Sequence, residues 1–350
     1  MVNEIHIGDH VVGEHYSVFV IAEAGVNHDG EPDVALRLVD AALKSQADAV
    51  KFQTFRAASL ASPAAGKASY QEHAADPGET QLQMLERLEL SRDDFRTVKA
   101  HCDGTGITFL STPFDEESAD FLEELGVPAF KVASGELVNH ALLAHLAAKG
   151  KPMLVSTGMS DLDEVKAAMR VIRDTGDPPV VLLHCVSSYP ANPAEANLRA
   201  MRTLAQAFDV PVGFSDHTEG HEVALAAVAL GACVIEKHLT LDRRRPGPDH
   251  AASTELDEFA QLVRRIRIVE RALGSGEKVA APSEIEARAI ARRSLVAARD
   301  LAAGTTIESD DILAIRGAGT IEVNHLQDVV GRKVVRDIPA GDAVNWENLE

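Results

Sequence analysis

"GACVIEKHLTLDRRRPGPDH", residues 231–250, begins as an apolar, β-branched run and turns abruptly to charge at Glu236, Lys237 and His238. A triple arginine and a Pro-Gly-Pro turn follow. Charge within a buried strand is costly unless it is paired or bound to metal. One such strand would be an oddity, but the pattern recurs. "DAVKFQT" (48–54), "PAFKVASGE" (128–136) and "VPVGFSDH" (210–217) are also apolar runs that carry lysines, hydroxyls, a carboxylate or an imidazole.

These runs belong to a series. With "SVFVIAEAG", "GITFLSTPF", "KPMLVSTGM" and "PVVLLHCVSS" they alternate with stretches such as "EPDVALRLVDAALKSQ" and "LDEVKAAMRVIRDTG", whose apolar residues fall at helical spacing. Strands alternating with helices imply parallel βαβ units. About eight units in about 270 residues fit a (β/α)8 TIM barrel better than an open doubly wound sheet, and the dinucleotide-binding G-x-G-x-x-G after the first strand is missing. The opening "EIHIGDHVVGEHY" alternates about a Gly-Asp turn and predicts a hairpin on the barrel floor. The domains read as a barrel over 1–273, a Gly, Ser and Pro linker over 274–291 and a small, mostly β module over 292–350.

The formal charge of −20 argues against nucleic acid and anionic membranes as partners. No apolar run approaches membrane-spanning length, and the N-terminus lacks the features of a signal peptide. Three cysteines without metal-type spacing read as reduced thiols of a cytoplasmic protein.

In such barrels the chemistry lies where the strands end. Side chains two apart on a strand share a direction, which groups Lys51 with Gln53, Ser215 with His217 and Glu236 with His238. His217 and His238 end neighbouring strands of a closed barrel, within reach of one divalent ion acting as a Lewis acid. Lys51 and Lys131, ringed by Ser134, Ser156 and Ser215, would make a cradle for phosphate and carboxylate. Glu23 and Glu136 read either as partners of those lysines or as groups that position water or move protons. His28, His184, His221 and Asp216 take structural readings, and the triple arginine reads as a solvated loop.

In chain order, "IAEAGVNHDG", "VKFQTF", "STPFD", "KVASGE", "LVSTGM", "LLHCVSSYPA", "GFSDHT", "EKHLTLD" and "PGPDH" resemble the motifs of the sialic acid synthases. Those enzymes condense phosphoenolpyruvate with N-acetylmannosamine to N-acetylneuraminic acid. The C-terminal "RRSLVAARDLAAGTTIESDDI" and "VVGRKVVRDIPAGDAV" resemble the antifreeze-like SAF module of the same family.

The resemblance implies that Lys51, Thr112, Lys131, Ser134, Ser156 and Ser215 hold phosphoenolpyruvate, with the two lysines at the reacting centre. It implies that His217 and His238 hold Mn²⁺, with Mg²⁺ or Co²⁺ as alternatives. Gln53, Tyr189 and Asp249 would meet the acylamino sugar, and Glu23 and Glu136 would assist catalysis. Ser187 would also face substrate, at a position where some members carry Asn. The loop "ASYQEHAADPGETQLQML" (68–85) shows no counterpart of an Asn that binds the sugar in certain sialic acid enzymes. Arg316 would reach the acyl group from the neighbouring subunit of a domain-swapped homodimer. The expected substrates are phosphoenolpyruvate and N-acetylmannosamine; the alternatives are a diacetamido-trideoxyhexose, as in legionaminic or pseudaminic acid synthesis, or a non-catalytic carbohydrate-binding or spore-coat role.

Overall fold

The computed structural model describes residues 4–67, 78–316 and 319–350. They divide into two compact units, Met1–Gly274 and Ser275–Glu350. Residues 68–77 of the loop singled out above lie outside the described residues.

In the first unit, β1 (Ile5–Ile7) and β2 (His10–Val12) pair antiparallel as a hairpin. Eight parallel strands follow: β3 (Phe19–Gly25), β4 (Ala49–Thr54), β5 (Thr108–Pro113), β6 (Phe130–Val132), β7 (Met153–Ser156), β8 (Val180–Cys185), β9 (Val212–Asp216) and β10 (Val234–Thr240). Their spatial order is β5-β4-β3-β10-β9-β8-β7-β6. The first of the eight therefore pairs with the last, and each of the others lies beside its neighbour in sequence. This is a nearly closed TIM barrel, the α/β architecture expected from the alternation.

Alternation along each strand divides the apolar residues between two cores. Phe19, Ile21, Ala49, Leu110, Leu154, Val181 and Leu183 fill the barrel, and Ile5, Ile7 and Val12 of the hairpin join them. The hairpin thus plugs the end of the barrel where the strands begin. Val20, Val50, Phe52, Phe109, Val155, Leu182 and Phe214 face the other way, against helices such as Pro32–Lys44 and Leu162–Thr175. The second of these begins on a capping box, with Asp161 accepting from the amides of Asp163 and Glu164. Lys51, Lys131, Ser156 and Ser215 lie toward the opposite mouth.

The second unit has a short exposed helix, Ile285–Ala291, and then pairs β11 (Arg293–Ala297) with β12 (Ile312–Arg316) antiparallel. Leu295, Leu301, Ile307, Ile321, Val329, Val334, Ile338 and Val344 form its core. Its strands are short and its turns many, in keeping with the Gly and Pro spacing of the sequence.

Candidate active site at the barrel mouth

A cavity of about 500 Å³ opens where the barrel strands end. Along its floor, buried charges alternate in sign. Glu23 on β3 lies 2.6 Å from Lys51 Nζ on β4. Lys51 is 3.8 Å from Glu236 on β10, and Glu236 is 3.7 Å from Lys131 on β6. Lys131 donates to Ser156 Oγ at 2.7 Å, Lys51 to Thr112 Oγ1 at 3.1 Å, and Ser215 Oγ to Glu236 at 2.9 Å. All four charged residues are at most 4% exposed, so each is held by its neighbours rather than by water.

Burial works against every one of these charges, and the pairing decides which survive. Glu236 pays the cost of burial but is held well below the usual carboxylate range by Lys131 and Lys51. Lys51 is likewise kept charged, because Glu23 and Glu236 outweigh its desolvation. Lys131 is shifted down by desolvation, against the pull of Glu236. Glu23 is driven up to about 7 by burial and by the nearby Glu236, despite Lys51. A carboxyl in that range can give or take a proton near neutrality.

Above this floor stand two imidazoles. The ring centroids of His217 and His238 are 5.6 Å apart, and Tyr189 lies against His217 at 4.3 Å and edge-on to His238 at 5.6 Å. Burial lowers the pKa of both histidines, His238 most strongly, so both rings are neutral near pH 7. His217 Nδ1 donates to the Val186 carbonyl at 2.7 Å, which leaves the lone pair on Nε2. His238 Nδ1 is buried without a hydrogen bond, 3.8 Å from Asp249 Oδ2. Two neutral, underused imidazoles suit a divalent ion with open positions. Among the described residues no group of three or more His, Cys, Asp or Glu side chains is placed to hold a metal, so an ion held by these two imidazoles would keep most of its positions open.

Gln53, Ser134, Ser187, Tyr189 and Asp249 also line the cavity. Ser134 Oγ accepts from the Gly158 amide at 3.0 Å and lies 3.1 Å from Cys185 Sγ. Gln53 donates to Glu23 at 3.3 Å. Asp249 is 8% exposed, and burial pushes its carboxyl up to about 6. One wall is apolar, made of Val26, Leu60, Met84, Leu85, Leu88 and Phe114.

Glu136 stands apart. It does not line the cavity; it sits on the turn Ser134–Glu136 that follows β6 and accepts from Asn139 at 2.8 Å. The expectation of one strand running through Glu136 fails because β6 ends at Val132, which redirects the side chain. Arg316 belongs to the second unit, where its Nε donates to the Ala291 carbonyl at 3.2 Å.

Glu236, absent from the predicted site residues, is the central charge of the floor. Its signal was its placement two residues before His238, on the same face of a strand. Lys237 between them points the other way and pairs with Asp216 at 2.7 Å. The triple arginine is not simply a solvated loop: Arg245 binds Asp29 at 2.8 Å, and Arg243 donates to the Ser253 carbonyl at 2.7 Å. His184 and His221 are structural, against the Ala196 carbonyl and Arg265 respectively.

The barrel and the C-terminal unit agree with the known proteins that this chain is similar to. The NeuB family pattern matches residues 38–278 and the SAF domain pattern residues 292–350. The chain belongs to the NeuB family and is an enzyme of that synthase family. It is 45% identical to the N,N'-diacetyllegionaminic acid synthase of Legionella pneumophila, over 97% of this chain and 96% of that one. The N-acetylneuraminate-9-phosphate synthase of Mus musculus is 37% identical, over 97% and 94%. A crystal structure of N-acetylneuraminic acid synthetase from Leptospira borgpetersenii, in complex with citrate, superposes with a TM-score of 0.73 at 36% identity, covering 82% of this chain and 97% of that one.

Proposed function

We propose that this chain condenses phosphoenolpyruvate with an acylamino hexose of the diacetamido-trideoxy type, giving a nine-carbon acid of the legionaminic kind and free phosphate. N-acetylmannosamine, the sugar expected from the sequence, is the second reading. Two observations favour the change. The relatives named as legionaminic acid synthases are 45% and 44% identical, against 37% for the mouse N-acetylneuraminate-9-phosphate synthase. The cavity also presents an apolar wall, and among the described residues that line it the lysines and arginines are Lys51 and Lys131, on the floor. A deoxy carbon and a second acetyl group suit such a wall, whereas a sugar 6-phosphate would face it without a counter-charge.

The observation that carries the reading is the floor itself, with two buried ammoniums among four hydroxyls beneath two neutral imidazoles. Lys51, Lys131, Thr112, Ser134, Ser156 and Ser215 would hold the phosphate and carboxylate of phosphoenolpyruvate. His217 and His238 would hold Mn²⁺, or Mg²⁺ or Co²⁺ in its place. A divalent ion there supplies Lewis acidity toward the aldehyde oxygen of the open-chain sugar.

Carbon 3 of phosphoenolpyruvate forms the new bond to the aldehyde carbon. The aldehyde oxygen takes up a proton and becomes a hydroxyl. Water adds to carbon 2, and as that centre collapses to a carbonyl the C–O bond breaks, phosphate leaves with one of the water's protons, and the other passes to a base. Glu23, with a pKa near neutrality and a place on the cavity wall, is the carboxyl suited to that proton. Gln53, Ser187, Tyr189 and Asp249 orient the sugar, and holding two substrates in one geometry contributes to the rate.

A panel of diacetamido-trideoxyhexoses, N-acetylmannosamine and its 6-phosphate, each with phosphoenolpyruvate and Mn²⁺, tests this by phosphate release. A diacetamido sugar should give the highest kcat/KM. If the 6-phosphate is preferred, the reading of the wall is wrong; if no sugar releases phosphate, the condensation itself is.

A further inference from the structure

The loop that carries Asp249 is clamped from two sides by residues with no place in the chemistry above. His250, the next residue, is fully buried. Its Nε2 lies 3.0 Å from Asp29 Oδ1, in the loop after β3, and its Nδ1 lies 2.6 Å from Thr240 Oγ1, at the end of β10. Asp29 is held ionised: the penalty of burial is outweighed by His250 and Arg245. An ionised carboxylate can only accept, so His250 Nε2–H is the donor. Arg245 donates from Nε to Asp29 Oδ2 at 2.9 Å, closing a second link between the loop and Asp29.

On its other side, the Asp249 backbone carbonyl accepts from Ser253 Oγ at 2.6 Å, and Ser253 Oγ accepts from Asn27 Nδ2 at 2.9 Å. Asn27 also donates to the Leu239 carbonyl at 2.9 Å. Two residues of one loop, Asn27 and Asp29, therefore grip the backbone on both sides of Asp249.

The fit leaves no slack. A Cβ on Gly247 would come within 2.7 Å of His250 Cδ2 and 2.8 Å of Asp29 Oδ1, so only glycine lets the loop close over this contact. The result is visible inside the cavity. A Cβ placed on Gly25 would meet Glu23 Oε1 at 3.2 Å, Gln53 Nε2 at 3.4 Å and Asp249 Oδ2 at 3.6 Å. Three polar side chains from three elements converge on one point, and Asp249 is the only one of them whose place depends on a long loop.

We propose that Asp29 is a positioning residue for sugar binding: through His250 and Arg245 it sets the Asp249 carboxyl beside Glu23 and Gln53. This rests on the reading that Asp249 meets the sugar. Hydrogen bonds to a charged group are stronger than neutral ones, so breaking the clamp should be felt in the loop before the barrel. The phosphoenolpyruvate floor, built on strands, should be spared.

The test is steady-state kinetics of Asp29→Ala, Asp29→Asn and Arg245→Ala in the full chain with Mn²⁺, varying each substrate in turn. The wild-type sugar from the panel and phosphoenolpyruvate are the probes. For Asp29→Ala, the sugar KM should rise at least about tenfold while the phosphoenolpyruvate KM stays within about twofold. Asn, which keeps one acceptor for His250, should recover part of the loss, and Arg245→Ala should show a smaller rise in the same constant. Equal rises in both KM values, or no recovery by Asn, would overturn the proposal. If Asp29→Ala does not fold, Arg245→Ala decides alone, and an unchanged sugar KM refutes it. A wild-type protein inert toward every sugar would instead defeat the reading on which the proposal rests, and the two failures are thus distinct.

Discussion

Replacing Glu236 by glutamine removes one charge while nearly preserving shape. In the native floor that carboxylate lies between two ammoniums, 3.8 Å from Lys51 and 3.7 Å from Lys131, and accepts from Ser215. Without it, Glu23 remains as the counter-charge of Lys51, and Lys131 keeps only neutral acceptors, Ser156 and the Val132 carbonyl. Breaking a buried pair by removing one partner costs about 3–5 kcal/mol. At about 2–4 °C per kcal/mol for a domain of this size, the melting temperature should fall by at least about 6 °C. Phosphoenolpyruvate, bound as proposed, would supply the missing negative charge, so it should stabilise the variant more than the wild type. Thermal melts with and without saturating phosphoenolpyruvate measure both effects. A variant that melts within about 2 °C of wild type, or gains no more from the ligand, would refute the account of the floor.

Two further outcomes are expected. His217→Ala and His238→Ala should each abolish phosphate release and weaken Mn²⁺ binding, read by calorimetry or by the signal of free Mn²⁺; EDTA should silence the wild type, and full activity in either variant would remove the metal assignment. Asp249, raised from 3.8 to about 6 by burial, holds its proton longer when folded than when unfolded. Native stability should therefore fall as pH rises from about 4 to about 6, by about 3 kcal/mol. Asp249→Asn should accordingly melt higher than wild type at pH 8 but not at pH 4, while raising the sugar KM; equal melting temperatures at pH 8 would contradict that environment.

The barrel was legible because its signals are local and repeated. Each strand announces itself by a run such as "KPMLVSTGM", and period two alone grouped Lys51 with Gln53 and Ser215 with His217 on one side. What was lost depends on where a strand stops. Glu136 shares a run with Lys131, yet β6 ends at Val132 and a turn carries Glu136 away from the cavity. Glu236 stood out in the sequence as charge on an apolar strand, but its role becomes intelligible only once Lys51 and Lys131 from distant segments are beside it. Arg245 likewise needed Asp29, which lies 216 residues earlier in the chain. Contacts of that span leave no periodic trace in the sequence.

The alternating signs of the floor also bear on how a ligand is found. Each ammonium is already tied to a carboxylate or a hydroxyl, so little positive potential escapes past the rim, and beyond it the chain as a whole, at −20, repels anions. An anionic substrate would therefore reach this floor by ordinary diffusion and exchange partners at contact, without long-range attraction.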